Sequence, residues 1–190
     1  MVLMKEIRTF IAINLPADVR SVLAAVGEEL AAQVPEKAVR WVEPDNLHLT
    51  LSFLGNTPEN RIDEIVAGLD RVTAQYAPFT LRLDALGCFP NERRPRVIWV
   101  GVGGEVKQAQ RLKQAIDEML QPLGWEPEDR PFRAHLTVGR VKRKHRQIAL
   151  PWGKGVLPRP VPVDAVHLME SRLRPGGPIY TVLHSSKLGS

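Results

Sequence analysis

The sequence has little of what would indicate a secreted or membrane protein. Cys88 is the only cysteine among 190 residues, so no internal disulfide can form, and a reducing cytoplasm is the expected compartment. The longest apolar runs, such as 10–13 and 97–100, are too short to cross a bilayer. The N-terminus has neither the long apolar region nor the small-residue cleavage site of a signal peptide. We therefore expect a cytoplasmic protein with no membrane segment.

Patterns that bind metals or nucleoside triphosphates are also missing. No His-x-x-x-His, Cys-x-x-Cys or carboxylate-histidine cluster has the spacing of zinc ligands. No Gly-x-x-x-x-Gly-Lys-[Ser/Thr] phosphate loop occurs, which disfavours ATP-driven ligation. We expect no metal and no cofactor, in a chain long enough for one domain with a sizeable core.

Positive charge is in excess and is clustered. The formal net charge is +5, and two basic clusters lie at 91–96 and 140–146. Basic patches attract polyanions, whereas charge runs are also typical of solvated loops. The cluster at 140–146 begins five residues after a histidine motif described below, which favours the first interpretation.

The order of predicted elements repeats along the chain. A strand, a helix and a second strand are predicted in each half: 7–15, 19–30 and 47–54, then 96–102, 106–119 and a strand around 135–138. Phe10 and His48 are 38 positions apart, and Ile98 and His135 are 37 apart. The pattern predicts an α+β fold of two pseudo-symmetric lobes, each an antiparallel sheet with outer helices, around a central groove. The whole chain, 1–190, is then one bilobal domain built from an internal duplication.

Further elements complete the predicted chain order. Thr57 is the expected cap of a helix that has Pro58 in its first turn and an apolar stripe from Ile62 to Val72. The other predictions are a strand at 79–89, a poorly patterned segment at 144–150, a strand at 163–173, a turn at 175–178 and a last strand at 179–186.

A His-x-Thr motif occurs twice, in matching places of the repeat. His48 and Thr50 lie in NLHLTLSFLG, and His135 and Thr137 lie in FRAHLTVGR. With five histidines and seven threonines in the chain, chance predicts only roughly 0.2 such triplets. One copy alone would be explained by a half-buried strand histidine and a good strand former. The paired copies favour a shared active site.

Strand alternation predicts which side chains share a face. His48, Thr50 and Ser52 are expected on one face of their strand, with Leu49, Leu51 and Phe53 on the other. His135 and Thr137 likewise share a face. Arg140 has the wrong parity to join them, unless a bulge at Gly139 corrects it.

Two histidines and two hydroxyls without a metal suit acid-base displacement at phosphorus. A neutral imidazole accepts a proton from the attacking water, while a protonated one gives a proton to the leaving oxygen. Thr50 and Thr137 would donate hydrogen bonds to phosphate oxygens, and Arg140 would add a guanidinium.

The motifs resemble those of the two-histidine phosphoesterases. The sequences HLTLSFLG and HLTVGR, with the flanking RWVEPDNLHLT, RPRVIWVGV and ESRLRPGGPIYTVL, are most similar to RNA 2′,3′-cyclic phosphodiesterases, also called 2′-5′ RNA ligases. The resemblance covers nearly the whole chain. It implies a site in the groove between two lobes and a metal-independent opening of terminal 2′,3′-cyclic phosphates to 2′-phosphates. It also implies that His48 is the general acid on the 3′ oxygen, that His135 activates water, and that Thr50, Thr137 and Arg140 hold the phosphate.

The other aromatic residues and histidines have weaker claims to the site. Phe53 or Phe132 could stack on a nucleobase, although core packing is the expected role of Phe53 and of the four tryptophans. His145, His167 and His184 have no threonine two residues on, and we leave them out.

The expected partner is RNA or a nucleotide with a 2′,3′-cyclic phosphate end, bound by a monomer. Two basic segments would guide the RNA strand: Arg93, Arg94 and Arg96, and Lys142, Arg143 and Lys144. A non-catalytic RNA-binding protein that uses the same basic groove is the alternative. Alanine variants of His48 and His135 that lose turnover but keep binding would favour the enzyme.

Overall fold

The computed structural model describes residues 5–145 and 147–189, so Arg146, the last residue of the second basic cluster, lies outside the described residues. Nine strands and three α-helices lie within these ranges. Their bounds are β1 Glu6–Asn14, α1 Ala17–Ala31, β2 Val39–Trp41, β3 His48–Pro58, α2 Ile62–Thr73, β4 Phe79–Phe89, β5 Val97–Gly104, α3 Val106–Leu120, β6 His135–Val141, β7 Pro160–Val163, β8 Ala165–Arg174 and β9 Gly177–Lys187.

The strands form two antiparallel sheets. The first sheet has the order β3-β1-β8-β9, and the second has the order β2-β6-β5-β4-β7. The predicted α+β class with two sheet-based lobes is confirmed. The two strands that carry the His-x-Thr motifs, β3 and β6, belong to different sheets and contact each other. The fold therefore brings together two motifs that are far apart in sequence.

The helices have apolar stripes that pack against the sheets. In α3, Ala109, Leu112, Ile116 and Leu120 recur at helical spacing and are all buried. This helix contacts α2 and β3, and α2 also contacts β8 and β9. Because each fully buried large aliphatic side chain contributes about 1.5–3 kcal/mol, this packing is what fixes α3 behind β3. None of the helices among the described residues is long and apolar enough to cross a membrane.

The predicted helix cap at Thr57 is wrong. Strand β3 continues to Pro58, and Thr57 is fully buried, with its Oγ1 2.7 Å from that of Thr9 on β1. The strand continues because β1 extends to Glu6, which pairs with Pro58. Helix α2 begins only at Ile62, after a short 3-10 turn.

The strand pairings differ from the predicted order in two places. The strand predicted at 163–173 corresponds to β8, which pairs with β1 and β9, and an unpredicted short strand, β7, ends just before it at Val163 and pairs with β4. The short strand β2 had no sequence signal and joins the edge of the second sheet beside β6. Each sheet therefore takes strands from both halves of the chain.

Candidate active site

A bulge in β3 determines which side chains near the first motif share the face of His48. In its register with β1, Thr50 pairs with Ala12 and Ser52 pairs with Ile11, so Leu51 is an extra residue. Alternation is shifted from that point to Leu54, where a second shift in the register with β1 follows. Ser52 is turned into the core, whereas Phe53 is 59% exposed on the face that carries His48 and Thr50. The expectations for Ser52 and Phe53 from regular alternation, including the core role of Phe53, are both wrong for this reason.

A bulge in β6 determines which side chains near the second motif share the face of His135. Trp99 pairs with Thr137 and Ile98 pairs with Gly139, so Val138 is the extra residue, and the expected bulge at Gly139 is present. Arg140 is thereby exposed on the face of His135. Gly139 is required here because a Cβ would lie 2.8 Å from Val39 Cγ1 and 3.0 Å from the Trp41 ring.

The two bulges fall at the same distance from each histidine. The residues on the motif face follow the pattern i, i+2 and i+5 in both strands, which gives His48, Thr50 and Phe53 on β3. The same pattern gives His135, Thr137 and Arg140 on β6. We call the space between these two faces the groove. The site is therefore built from two strands with the same spacing of groove-facing residues. The last of these residues differs, since it is an aromatic ring on β3 and a cation on β6.

Both imidazoles are held in the same way. The Nδ1 of His48 lies 2.7 Å from the carbonyl oxygen of Asn46, and the Nδ1 of His135 lies 2.6 Å from that of Arg133. Since a carbonyl only accepts hydrogen bonds, Nδ1 carries the proton in each ring. The Nε2 atom of each histidine is then the nitrogen free to exchange a proton with a ligand.

Aromatic rings pack around both histidines. The His48 ring lies 4.9 Å from Phe10 and 5.2 Å from Tyr180, and the His135 ring lies 4.9 Å from Phe89. Trp99 lies 6.2 Å from His135. These neighbours were missed from the sequence, and Trp99 lies in the groove rather than in the core. Trp99 pairs with Thr137 in the neighbouring strand, and this pairing puts its side chain on the same face as Thr137.

Burial and charge lower the pKa of both histidines. Desolvation is the main cause that lowers the pKa of His48 and of His135 below 6.5. The hydrogen bond from each Nδ1 to its carbonyl oxygen raises the pKa and opposes part of this effect. The positive charge of Arg140 lowers both pKa values further, and His135 also lowers that of His48. The Arg140 charge is therefore close enough to act on both imidazole rings.

A buried network behind β3 holds the first bulge. Ser52 donates a hydrogen bond from Oγ to Oδ1 of Asp117 on α3 over 3.0 Å, and Asp117 is ion-paired with Lys113. Ser52 and Lys113 are only 7% and 8% exposed. The hydrogen bond to α3 thus stabilises the core-facing orientation of Ser52. Because Ser52 faces the core, the next residue, Phe53, faces outward.

Lys113→Met tests how much this network contributes to stability. The change leaves the part-buried Asp117 carboxylate without its cation, so we expect the free energy of unfolding to fall by about 1–3 kcal/mol. Urea denaturation followed by circular dichroism measures the loss. The double variant Lys113→Met, Asp117→Leu should recover much of it, and a double variant as unstable as the single one contradicts this account.

A cavity of about 950 Å³ adjoins His135. It is lined by Trp99, Phe132 and Arg133, and by polar groups that include Asp84 and Asn91. The Arg133 guanidinium lies 5.2 Å from the centre of the Trp99 ring. The volume is in the range of pockets that take a nucleotide-sized ligand.

The remaining histidines make other contacts. His167 lies 2.9 Å from Ser185 Oγ through Nδ1, and His184 lies 2.9 Å from Asp70 Oδ1 through Nε2, on the side of α2. His145 lies in a short 3-10 turn. Among residues 5–145 and 147–189, no group of three or more histidine, cysteine or acidic side chains is arranged to hold a metal ion.

Comparison with protein families gives one match to each half of the chain. The family model described as LigT-like phosphoesterase matches residues 13–99 and again residues 100–180. Relatives similar to this chain include the RNA 2′,3′-cyclic phosphodiesterases of Archaeoglobus fulgidus and Thermus thermophilus. The first is 39% identical and the alignment covers 91% of this chain and 96% of the relative; the second is 35% identical with coverages of 95% and 90%.

Solved structures are similar over almost the whole chain. The structure of TT0787 of Thermus thermophilus has a TM-score of 0.81 and 34% identity, and the match covers 95% of this chain and 97% of that one. The structure of Escherichia coli LigT complexed with 3′-AMP has a TM-score of 0.78 and 27% identity, with coverages of 98% and 100%.

Proposed function

Because the chain belongs to the LigT-like phosphoesterase family, we propose that it hydrolyses the 2′,3′-cyclic phosphate at the end of RNA or an oligonucleotide to a 2′-phosphate, without a metal. Family membership makes the protein a phosphodiesterase. The observation that carries the proposal is the matched setting of His48 and His135, each fixed through Nδ1 and each under the influence of Arg140. The activity named for the archaeal and bacterial relatives supports the same substrate.

The two histidines exchange protons with the reacting oxygens. Nε2 of His135 accepts a proton from water as the water oxygen bonds to phosphorus. The bond from phosphorus to O3′ breaks, and Nε2 of His48 gives its proton to O3′, which leaves the phosphate on O2′. The negative charge of the substrate favours the protonated form of His48 that this step needs, against the burial that lowers its pKa.

Thr50, Thr137 and Arg140 hold the phosphate in this scheme. Each threonine lies two residues after its histidine on the same face, so its hydroxyl can donate to a non-bridging oxygen of the same phosphate. The Arg140 guanidinium stabilises the charge that the transition state spreads over these oxygens. Because both bulges bring the i+5 residue onto this face, Arg140 and Phe53 flank the phosphate from opposite strands.

Phe53 and Phe132 are the proposed base-stacking residues. Phe53 is 59% exposed on the His48 face, and its ring centre lies 6.2 Å from that of Phe10. Phe132 is partly buried and lines the cavity beside His135. An exposed ring on the face of the site is what a nucleobase needs for stacking.

Phe53→Ala is expected to raise KM for a cyclic nucleotide about tenfold and to leave kcat nearly unchanged, because stacking on an aromatic ring contributes about 1–3 kcal/mol per base. Steady-state kinetics with adenosine 2′,3′-cyclic phosphate measures this. Leu157→Ala is the matched control, since Leu157 is also 59% exposed but lies outside the groove-lining strands. Equal KM values for the two variants would remove Phe53 from the site.

Identification of the product tests the proposed reaction directly. An RNA that ends in a 2′,3′-cyclic phosphate is incubated with the protein, and the product is expected to carry a 2′-phosphate. A 3′-phosphate would mean that O2′ leaves instead. Addition of a chelator is expected to leave the rate unchanged, and complete loss of activity would contradict the metal-free mechanism.

Three further features stay predictions. The internal duplication is our inference, which the separate family matches to 13–99 and 100–180 support. The cytoplasmic location and the monomeric state are inferred from the sequence.

A further inference from the structure

Three exposed arginines from three different strands lie on the sheet faces that border the groove. Arg40 on β2 lies directly opposite Arg140 on β6 in the strand register, so both side chains are on the same face of the second sheet. Arg8 lies two residues before Phe10 on β1, and alternation puts it on the face of Phe10 and His48. All three arginines are exposed. Arg40 and Arg8 thus border one end of the groove from opposite sheets.

Tyr180 lies where these arginines converge. Its ring centre is 5.0 Å from that of Phe10 and 5.2 Å from that of His48. Burial raises the pKa of Tyr180, whereas the positive charges of Arg140, Arg40 and Arg8 lower it. The phenol is therefore within electrostatic range of all three guanidinium groups.

The positive charge at this end of the groove is not neutralised. Within the described parts of the chain, Arg8, Arg40 and Arg140 have no ion pair within 4 Å, and none of their guanidinium groups makes a hydrogen bond; the hydroxyl of Tyr180 makes none either. By contrast, Arg172 is paired with Glu170 on β8. Guanidinium groups that converge without a carboxylate favour a phosphate ligand.

We propose that Arg8, Arg40 and Tyr180 form a second phosphate subsite, which binds the 5′-phosphate or phosphodiester of the nucleoside that carries the cyclic phosphate. This inference rests on the proposed function, in which Arg140 holds the reacting phosphate and the nucleoside on the leaving oxygen lies beside His48. Tyr180 packs against His48 on that same side. The next anion along the RNA strand from that nucleoside is its 5′-phosphate.

The subsite makes the enzyme distinguish an RNA end from a bare nucleoside. Kinetics are measured at low salt with adenosine 2′,3′-cyclic phosphate, with the same compound bearing a 5′-phosphate, and with an adenylyl dinucleotide ending in the cyclic phosphate. We expect KM to be about tenfold lower for the two substrates that carry a 5′ phosphoryl group, because charge-assisted hydrogen bonds to phosphate are strong. A gain with the monoester alone limits the subsite to free 5′-phosphates and excludes the RNA strand as its ligand.

Variants of the subsite should remove this preference. In Arg8→Gln and Arg40→Gln, the ratio of KM values between unphosphorylated and phosphorylated substrates is expected to fall towards one, and Tyr180→Phe should give a smaller fall. Arg71→Gln is the matched control, because Arg71 is an exposed arginine on α2. It should keep the wild-type ratio. A wild-type ratio of one, or a ratio that the double variant Arg8→Gln, Arg40→Gln retains, overturns the proposal.

Equilibrium binding separates this proposal from the proposed reaction. The affinities of the full-length protein for 2′-AMP and for adenosine 2′,5′-bisphosphate are compared by calorimetry, which needs no turnover. Tighter binding of the bisphosphate that is lost in Arg40→Gln supports the subsite even if no cyclic phosphate is hydrolysed. Hydrolysis of the cyclic nucleotide with no preference for the bisphosphate leaves the function standing and rejects the subsite.

Discussion

His48→Ala and His135→Ala are each expected to lower kcat for a 2′,3′-cyclic nucleotide by about 10²–10⁴-fold, because each removes one proton transfer in the transition state. The fold should survive, since each side chain is only partly buried at the edge of the core. The double variant should be little slower than the slower single variant, because the two residues act as a unit. Steady-state kinetics and circular dichroism measure the two properties.

The control for the histidine variants is His184→Ala. His184 makes its contact with Asp70 on the α2 side of the first sheet and should leave kcat unchanged. Retained binding of 2′-AMP by His48→Ala and His135→Ala shows that the groove is intact. Full hydrolysis by either variant contradicts acid-base catalysis by this pair.

Arg140→Gln is expected to lower kcat/KM by roughly 10²–10³-fold, because it removes a charge that faces the transition state. It should also raise the pKa of both histidines, since the Arg140 charge lowers both. A base works only above its pKa, so the acid limb of the pH profile of kcat/KM moves to higher pH. A proton donor works only below its pKa, so the basic limb moves to higher pH as well. NMR titration of the imidazole protons measures the pKa values directly.

Arg133→Gln is the comparison that assigns the two limbs. The positive charge of Arg133 lowers the pKa of His135 and is not among the charges that shift His48. If His135 is the base, this variant moves the acid limb alone to higher pH. Movement of the basic limb alone would exchange the proposed roles of His48 and His135. If the pKa values of both histidines are the same in Arg140→Gln as in the wild-type protein, Arg140 does not face the histidines.

Local sequence signals predicted the parts of the fold that depend on near neighbours. Strand β4 has the predicted bounds 79–89, and the apolar stripe of α3 begins at Val106 as expected. Gly139 indicated where a bulge could turn Arg140 into the groove, and the bulge is present with Val138, the residue before Gly139, as the extra residue. Alternation also predicted that each threonine shares a face with its histidine. In these cases, the residue that decides the geometry lies in the segment itself.

The errors come from contacts between segments far apart in the chain. No glycine or proline marks the bulge at Leu51, which depends on the register with β1 and on the hydrogen bond from Ser52 to Asp117. The strand pairing of Thr57 and the pairing of the short strand β7 with β4 also depend on distant partners. The positions on which the proposed roles of Phe53 and Tyr180 rest follow from such pairings.

The difference between Phe53 and Arg140 gives the proposed enzyme a direction. A groove with two identical halves would accept a cyclic phosphate in two equivalent orientations, and the two histidines would exchange the roles of acid and base between them. The position five residues after each histidine holds an apolar ring in one half and a cation in the other. The nucleobase and the phosphate therefore have different binding places in the proposed enzyme, so divergence at this pair of positions after the proposed duplication favours one orientation and gives each histidine a single role.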